Sequence, residues 1–257
     1  MKKFAVLGSG ITYTKSPLIH NEVFRLLGAD ARYTVENIAA DALGENIERL
    51  FAEYDGLNVT VPFKKEIRKY VEADCAAVNT LLCAAREGYN TDGFGFYRDV
   101  TRYFGSVNGL DALIIGAGGA AEIVARTLTD AGAAVTIISR DKSKAAELAK
   151  RVGGASEITS PPELIVNCTP VGWDGLANPL ASDISLQRLK YAYDLIYPTF
   201  VTPFLAAAKS AGAKIANGLG MLVYQAIKAD ELFLGAKIDC DDIYEKIVKK
   251  LSEENTI

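Results

Sequence analysis

A lysine that closes an apolar strand and a carboxylate in a polar turn are the two side chains of this sequence best suited to proton chemistry. Lys64 ends the string Gly56-Leu57-Asn58-Val59-Thr60-Val61-Pro62-Phe63-Lys64, and Asp92 sits in Asn90-Thr91-Asp92-Gly93. A free lysine is an ammonium ion at neutral pH, and a carboxylate beside it favours that form. Together they could donate to an oxygen that gains negative charge, the carboxylate orienting the amine. Each also has an ordinary explanation: a lysine after Pro-Phe is usually solvated, and an Asp before Gly usually makes a turn.

Composition narrows the chemistry. With 257 residues the chain has room for one large or two ordinary α/β domains. A hydrophobic share of 49% beside 23% charged residues describes a soluble globular protein, and no apolar run approaches a membrane span. The apolar stretch after Met1-Lys2-Lys3 is too short for a secretory signal, so the cytoplasm is expected. A net charge of -4 with scattered basic residues leaves no footprint for nucleic acid, and a small-molecule substrate is the better expectation. His20 is the only histidine, which excludes multi-histidine metal sites and leaves a Ser-His-Asp hydrolase dependent on that one residue. Cys75, Cys83, Cys168 and Cys240 lie far apart without a Cys-x-x-Cys pair, so buried reduced thiols are expected and no metal is.

The elements that must position Lys64 and Asp92 follow from periodicity. Apolar runs alternate with helical patterns throughout, the signature of an α/β fold with parallel strands. Residues 4–7 read as a first strand; 41–54 place Leu43, Ile47, Leu50, Phe51 and Tyr54 at helical spacing, and 57–61 follow as a strand. Ile67, Tyr70 and Val71 mark another helix, before loops around Asn79 and Asp92. A second cycle begins near Asn108-Gly109: strand 112–115, helix 120–131, strand 134–138, helix 142–152, then short strands at 164–166 and 192–195. The domain boundary is expected around residues 94–107, with ligands at the carboxyl ends of strands.

Gly116-Ala117-Gly118-Gly119-Ala120-Ala121 fits Gly-x-Gly-x-x-(Gly/Ala) directly after a strand and at the opening of a helix. The first glycine permits the tight turn, the second lets backbone approach a pyrophosphate, and Ala121 permits close helix packing. Phosphate would sit on amides at the helix amino end. The next strand ends Ile137-Ile138-Ser139-Arg140-Asp141 with Lys144 a turn later. Arg140 and Lys144 favour the 2′-phosphate of NADP, and Ser139 can donate to it; Asp141 repels it unless its side chain points away, which keeps NAD possible. Gly8-Ser9-Gly10 also follows a strand, but Tyr13 occupies the third small position, so it is read as no nucleotide site. Thr14-Lys15-Ser16-Pro17 resembles a polar loop at a helix start, with Pro17 in the first turn.

Taken together these strings resemble the shikimate dehydrogenase family across nearly the whole chain. The matching segments are 14–21, 58–64, Val78-Asn79-Thr80, Asn90-Thr91-Asp92-Gly93, the glycine string, Asn167-Cys168-Thr169-Pro170-Val171-Gly172, and 217–225 from Asn217 to Gln225. The resemblance implies two α/β domains: a substrate-binding domain of residues 1–98 and 221–257, and a Rossmann domain of residues 99–220, the final helices returning to the first. It implies reversible NADPH-dependent reduction of 3-dehydroshikimate to shikimate, on the route to chorismate and the aromatic amino acids.

By the same resemblance Thr14 and Ser16 would hold the substrate carboxylate, while Asn58, Thr60, Asn79, Asp92 and Gln225 would hold its hydroxyls. Lys64 and Asp92 would form the dyad at the reacting oxygen, and Tyr197 would approach the substrate carboxylate from the other domain. Gly116, Ala117, Gly118, Gly119, Ala120, Ser139, Arg140, Lys144 and Thr169 would hold the cofactor, with the segment from Gly218 to Met221 beside the nicotinamide. The family commonly has His-Ser where Tyr13-Thr14 stand here, and a small hydroxyl residue where Asp141 stands. Those departures keep open a broader quinate/shikimate dehydrogenase using NAD or NADP. A non-catalytic NADP-binding regulatory protein is the alternative of another class. No segment marks an interface, so monomer and homodimer are both compatible with the sequence.

Overall fold

The computed structural model describes residues 1–197 and 201–253. The end of the expected 221–257 segment, residues 254–257, lies outside the described residues. The chain divides into two compact units, Met1–Asp92 with Val223–Glu253, and a unit beginning at Gly93 and running to Leu222. The first unit thus ends at Asp92, six residues before the expected boundary at 98, because the chain leaves it inside the first turn of a helix.

In the first unit β1 (Lys2–Gly8) pairs in parallel with β2 (Ala31–Asn37) and β3 (Gly56–Val59). The expectation of parallel strands fails on the other side. β4 (Thr80–Leu82) and β5 (Glu87–Tyr89) form an antiparallel hairpin on β3, where loops were expected around Asn79, giving the order β2-β1-β3-β4-β5. Both hairpin strands are three residues long, too short to show a period of two. The helix expected at Ile67, Tyr70 and Val71 is one 3₁₀ turn, Glu66–Lys69.

Helices α1 (Ser16–Leu27) and α2 (Leu43–Glu53) follow β1 and β2. Pro17 lies in the first turn of α1, and Gly28 ends it at φ 64. Leu43, Ile47 and Leu50 of α2 pack with Leu57, Val59, Phe63 and Ile67 in one core cluster. A second cluster joins Phe4, Val6, Phe24 and Tyr33 to Ala229 and Phe233 of α7 (Leu219–Leu234). Phe4 and Phe233 stack at 4.6 Å, and a Cβ on Gly56 would lie 2.6 Å from the Phe233 ring. That close approach explains a glycine at the start of β3.

In the second unit all strand pairings are parallel: β6 (Asp111–Ile115), β7 (Ala134–Ile138), β8 (Leu164–Asn167), β9 (Tyr191–Asp194) and β10 (Lys214–Asn217), in the order β10-β9-β8-β6-β7. The order reverses at β6, so the glycine string leaves the sheet at its switch point. α4 (Gly119–Asp130) buries Ala121, Val124, Ala125 and Leu128 as one stripe against Ile114, Val135, Ile137 and Val166. Burial of a Val or Leu contributes about 1.5–3 kcal/mol, enough to fix the helix whose amino end carries the motif. α3 (Asp92–Phe104) leads into β6, α5 (Lys142–Val152) follows β7 and α6 (Pro203–Ser210) follows β9; α8 (Cys240–Glu253) ends the described chain. None of the four cysteines is in a disulfide, but only Cys83 is buried; Cys75, Cys168 and Cys240 are half-buried, against the expectation for all four.

Candidate active site

The Lys64 ammonium donates to Asp92 Oδ2 at 2.7 Å, with side chains 32% and 14% exposed. The pair is accessible, yet both backbones are anchored. Phe63 is wholly buried beside Lys64, and the Lys64 carbonyl accepts the Val78 N–H at 2.8 Å. Asp92 opens α3, where the helix amino end favours negative charge, and its own N–H donates to Asn90 Oδ1 at 2.9 Å. The expected acidic turn is therefore a helix start.

Asn79 locks the other carboxylate oxygen. Its Nδ2 donates to Asp92 Oδ1 at 2.8 Å and to Thr91 Oγ1 at 3.0 Å, while its Oδ1 accepts the Thr91 N–H at 2.8 Å. Gln225 of α7 brings Oε1 within 3.4 Å of both Asn79 Nδ2 and Thr91 Oγ1. Asn58 donates through Nδ2 to the Asn79 carbonyl at 3.1 Å and to Thr80 Oγ1 at 3.0 Å. Lys64, Asp92, Asn79, Asn58 and Gln225 thus belong to one hydrogen-bonded array, drawn from distant parts of the chain. Thr60 follows β3, its N–H on the Leu7 carbonyl at 2.9 Å. A Cβ on Gly8 would meet Thr60 Cγ2 and Ile11 Cδ1, each at 2.7 Å, which is the packing reason for that glycine.

Thr14 and Ser16 turn toward each other. Thr14 Oγ1 accepts the Ser16 N–H at 3.1 Å, at the first residue of α1, and donates to Ser16 Oγ at 3.2 Å; the N-cap residue itself, Lys15, makes no side-chain cap bond. Two residues without an expected role tie this loop to the array. Asn21 donates to the carbonyls of Pro17 and Tyr33 at 2.7 and 2.9 Å, and the Tyr33 hydroxyl donates to Asn58 Oδ1 at 2.6 Å. Tyr33 also stacks on His20 at 3.9 Å, and His20 Nδ1 lies 2.7 Å from Asp230 Oδ1. Burial pushes the Asp230 carboxyl up, with His20 pulling the other way. Burial likewise pushes the Tyr33 phenol well up, so it remains a donor. No spacing rule links Tyr33 to Asn58; only the pairing of β1 with both β2 and β3 does.

In the second unit Gly116 has φ 120, and a Cβ there would meet Thr169 Cγ2 at 3.1 Å and the Cys168 carbonyl oxygen at 3.2 Å. A Cβ on Gly118 or Gly119 would meet nothing within 4 Å, and among the described residues no side chain caps the amino end of α4. That open, uncapped row of amides, from Gly118 through Ala120, fits an anionic pyrophosphate. Ala117 packs against the core. Thr169 is placed by a relay: its hydroxyl donates to Asn167 Oδ1 at 2.7 Å, and Asn167 Nδ2 donates to Asp194 Oδ1 at 3.0 Å. Asp194 is wholly buried and also accepts from Thr202 at 2.6 Å. Burial pushes its carboxyl up, against those hydrogen bonds.

At the end of β7 the Asp141 side chain turns into its own helix, where it accepts the Lys144 N–H at 3.1 Å as N-cap of α5. That bond holds its carboxyl below the usual range. Ser139 Oγ donates to the Asp141 carbonyl at 2.6 Å, while Arg140 and Lys144 are exposed. Tyr197 meets Trp173 edge to face at 6.0 Å. The turn from Gly218 to Met221 opens α7, where Asn217 Oδ1 accepts the Leu219 N–H at 3.2 Å. No group of acidic, histidine and cysteine side chains that could hold a metal occurs among the described residues.

Known proteins resemble this chain in sequence and fold. The profile of the shikimate dehydrogenase substrate binding domain matches residues 6–81, and that of shikimate / quinate 5-dehydrogenase matches residues 99–168. A shikimate dehydrogenase (NADP(+)) of Ignicoccus hospitalis is 34% identical, the match covering 97% of this chain and 99% of that protein. The crystal structure of shikimate 5-dehydrogenase from Thermus thermophilus in complex with NADP(H) and shikimate superposes with a TM-score of 0.89 at 31% identity, covering 97% and 99% of the two chains. The fold extends to other reductases: a ligand-free 5-ketofructose reductase of Gluconobacter gives 0.83 at 27% identity, covering 96% and 98%.

Proposed function

The chain belongs to the shikimate dehydrogenase family, and from that premise we propose that it reduces 3-dehydroshikimate to shikimate reversibly with NADPH, through Lys64 and Asp92. The observation that carries the assignment of roles is the 2.7 Å Lys64–Asp92 contact inside an array of the polar residues expected at the substrate. NADPH, when bound, supplies the hydride. As a ketone oxygen gains charge, the Lys64 ammonium stabilises it and gives it a proton; in the oxidative direction the neutral amine takes that proton back. Asp92 orients the amine and, with Asn79, presents fixed acceptors and donors that cost no reorganisation during reaction.

Thr14 and Ser16 supply hydroxyls for the substrate carboxylate, joined by Tyr197; Asn58, Thr60, Asn79, Asp92 and Gln225 select its hydroxyls. Tyr33 then sets which way Asn58 faces. Tyr33→Phe keeps the ring on His20 but leaves the Asn58 oxygen without a donor, at a cost of about 1–3 kcal/mol. The variant should show a denaturation midpoint lowered accordingly, and a shikimate KM raised several-fold with kcat little changed.

The cofactor residues are Gly116 through Ala120, Thr169, the 218–221 turn, and Ser139, Arg140 and Lys144 at the 2′-phosphate. With Asp141 occupied as the N-cap of α5 and its other oxygen 3.6 Å from Lys144 Nζ, Arg140 is left to face an anion, which supports NADP over NAD. Arg140→Ala should raise the KM for NADP roughly 10- to 100-fold, the worth of a charge-assisted hydrogen bond, and leave the KM for NAD within about twofold. Equal effects on both cofactors would remove Arg140 from the 2′-phosphate.

The same reading puts the protein in the cytoplasm as a monomer or homodimer; four cysteines outside any disulfide suit a reducing compartment. Among the described residues no helix is long and apolar enough to cross a membrane. Thr14, with its extra methyl, keeps quinate as a second candidate substrate. Steady-state rates with shikimate and quinate, each with NADP and NAD, test the proposal: shikimate with NADP should give the highest kcat/KM. A higher value for quinate or for NAD supports the broader enzyme, and cofactor binding without turnover of either acid supports a non-catalytic protein.

A further inference from the structure

Asp99 lies in α3, seven residues beyond Asp92, and is wholly buried. Three elements meet at its carboxylate. Tyr193 of β9 donates its hydroxyl to Oδ2 at 2.5 Å, and the backbone N–H of Met221, in the first turn of α7, faces the carboxylate. Oδ1 has no hydrogen-bond partner and faces Gly220, where a Cβ would lie only 1.9 Å away. On the other side of the same turn a Cβ on Gly218 would lie 2.2 Å from the Leu195 carbonyl oxygen. Gly218-Leu219-Gly220-Met221 therefore threads between a fixed carbonyl and a buried carboxylate. Both glycines are needed, because any side chain would push the turn out of that slot.

A buried carboxylate is costly, and it persists only where hydrogen bonds hold it. The tyrosine that holds this one is itself fixed by aromatic rings: Phe96 meets the Tyr193 ring edge to face at 5.2 Å, and Phe104 does so at 6.5 Å. We propose that Asp99 is a positioning residue for the cofactor, tied to Tyr193 and packed against Gly220 and the Met221 N–H so that the 218–221 turn keeps the shape that receives the nicotinamide. The inference rests on the assignment of that turn to the nicotinamide made above.

This arrangement has a second state. Burial pushes the Asp99 carboxyl up to about 7, against the hydrogen bond from Tyr193, the facing Met221 N–H and the charge of Arg102 on the next turn of α3. Those are the polar groups facing it from β9, α7 and its own helix. As pH falls through that value the carboxylate takes up a proton and becomes a weaker acceptor for both donors. The turn loosens, and affinity for NADP falls below neutrality.

The test compares wild type, Asp99→Asn and Tyr193→Phe, reading NADP affinity by fluorescence quenching from pH 6 to 8, and binding of adenosine 2′,5′-bisphosphate as a probe without nicotinamide. Wild type should bind NADP more weakly at pH 6 than at pH 8. Asp99→Asn should bind it roughly three- to tenfold more weakly at pH 8 and lose the pH dependence, with the adenosine probe unchanged. Should Asp99→Asn not fold, Tyr193→Phe decides: it should weaken NADP and spare the probe. NADP affinity unchanged in either folded variant overturns the role of Asp99, as does a parallel loss of NADP and probe. A wild-type protein that binds the adenosine probe and NADP equally well overturns instead the assignment of the turn to the nicotinamide.

Discussion

Lys64→Ala should lower turnover of shikimate with NADP by roughly 10²- to 10⁴-fold, the range for a positioned acid or base. That is about 2.7–5.4 kcal/mol of barrier. The structure makes the cause separable from stability. The Lys64 side chain is a third exposed, and an ion pair of that exposure is worth about 0–1 kcal/mol to the fold. The elements that hold the segment, the buried Phe63 and the Lys64 carbonyl on the Val78 N–H, remain in the variant. Denaturation and NADP quenching should therefore match wild type within error while kcat collapses. A folded, NADP-binding variant with near-normal kcat would mean that the oxygen is protonated by something else.

Asp92→Asn should lower kcat/KM for shikimate by roughly 10²- to 10³-fold, split between a higher KM and a lower kcat. Asp92 uses both oxygens as acceptors, one from Lys64 and one from Asn79. An amide offers one oxygen and one NH₂, so one of the two donors must face another donor, at a cost of about 1–3 kcal/mol in a part-buried setting. The charge that holds the Lys64 amine is lost as well. Loss of the carboxylate from the amino end of α3 adds only about 0.3–1 kcal/mol to that cost, and the sum is below the roughly 5–15 kcal/mol stability of an ordinary domain, so the variant remains folded and measurable. Kinetics within threefold of wild type would show that Asp92 is a helix-start residue and no more.

The two halves of the site differ in how legible they are in the sequence. The glycine string can be read because its chemistry is local: Gly116, the open amides and Ala121 lie in six consecutive residues between a strand and a helix. Asp141 is half legible. Its charge is visible, but that its side chain turns into α5 depends on an N-cap geometry that Asp shares with many turns. The start of α3 reads as loop and turn because Asp92-Gly93-Phe94-Gly95 carries two glycines that normally disfavour helix. Here packing overrides propensity: a Cβ on Gly93 would lie 3.1 Å from Thr127 Oγ1, and Gly95 is buried.

Long-range pairings are illegible for a different reason. Tyr33 and Asn58 are 25 residues apart and Asp99 and Tyr193 are 94 apart, joined by sheet order rather than by any period. The β3–β4 pairing that puts Asn58 on the Asn79 carbonyl is of the same kind. A buried Asp in a helix with charged neighbours looks like a surface residue until the tyrosine that satisfies it is known. Resemblance to a family supplies the residues expected to touch ligand, whereas the side chains that hold them in place come from the geometry.

Restoration of activity by an added amine bears most directly on the claim that the Lys64 amine handles the proton. Methylamine, titrated into Lys64→Ala with shikimate and NADP at fixed ionic strength, should raise the rate of nicotinamide reduction in proportion to its concentration, since the site vacated is solvent-accessible. More basic and less basic amines of similar size should give different slopes. Rates that stay flat in methylamine and match those in an inert salt, in a variant that binds NADP and shikimate normally, would contradict the assignment.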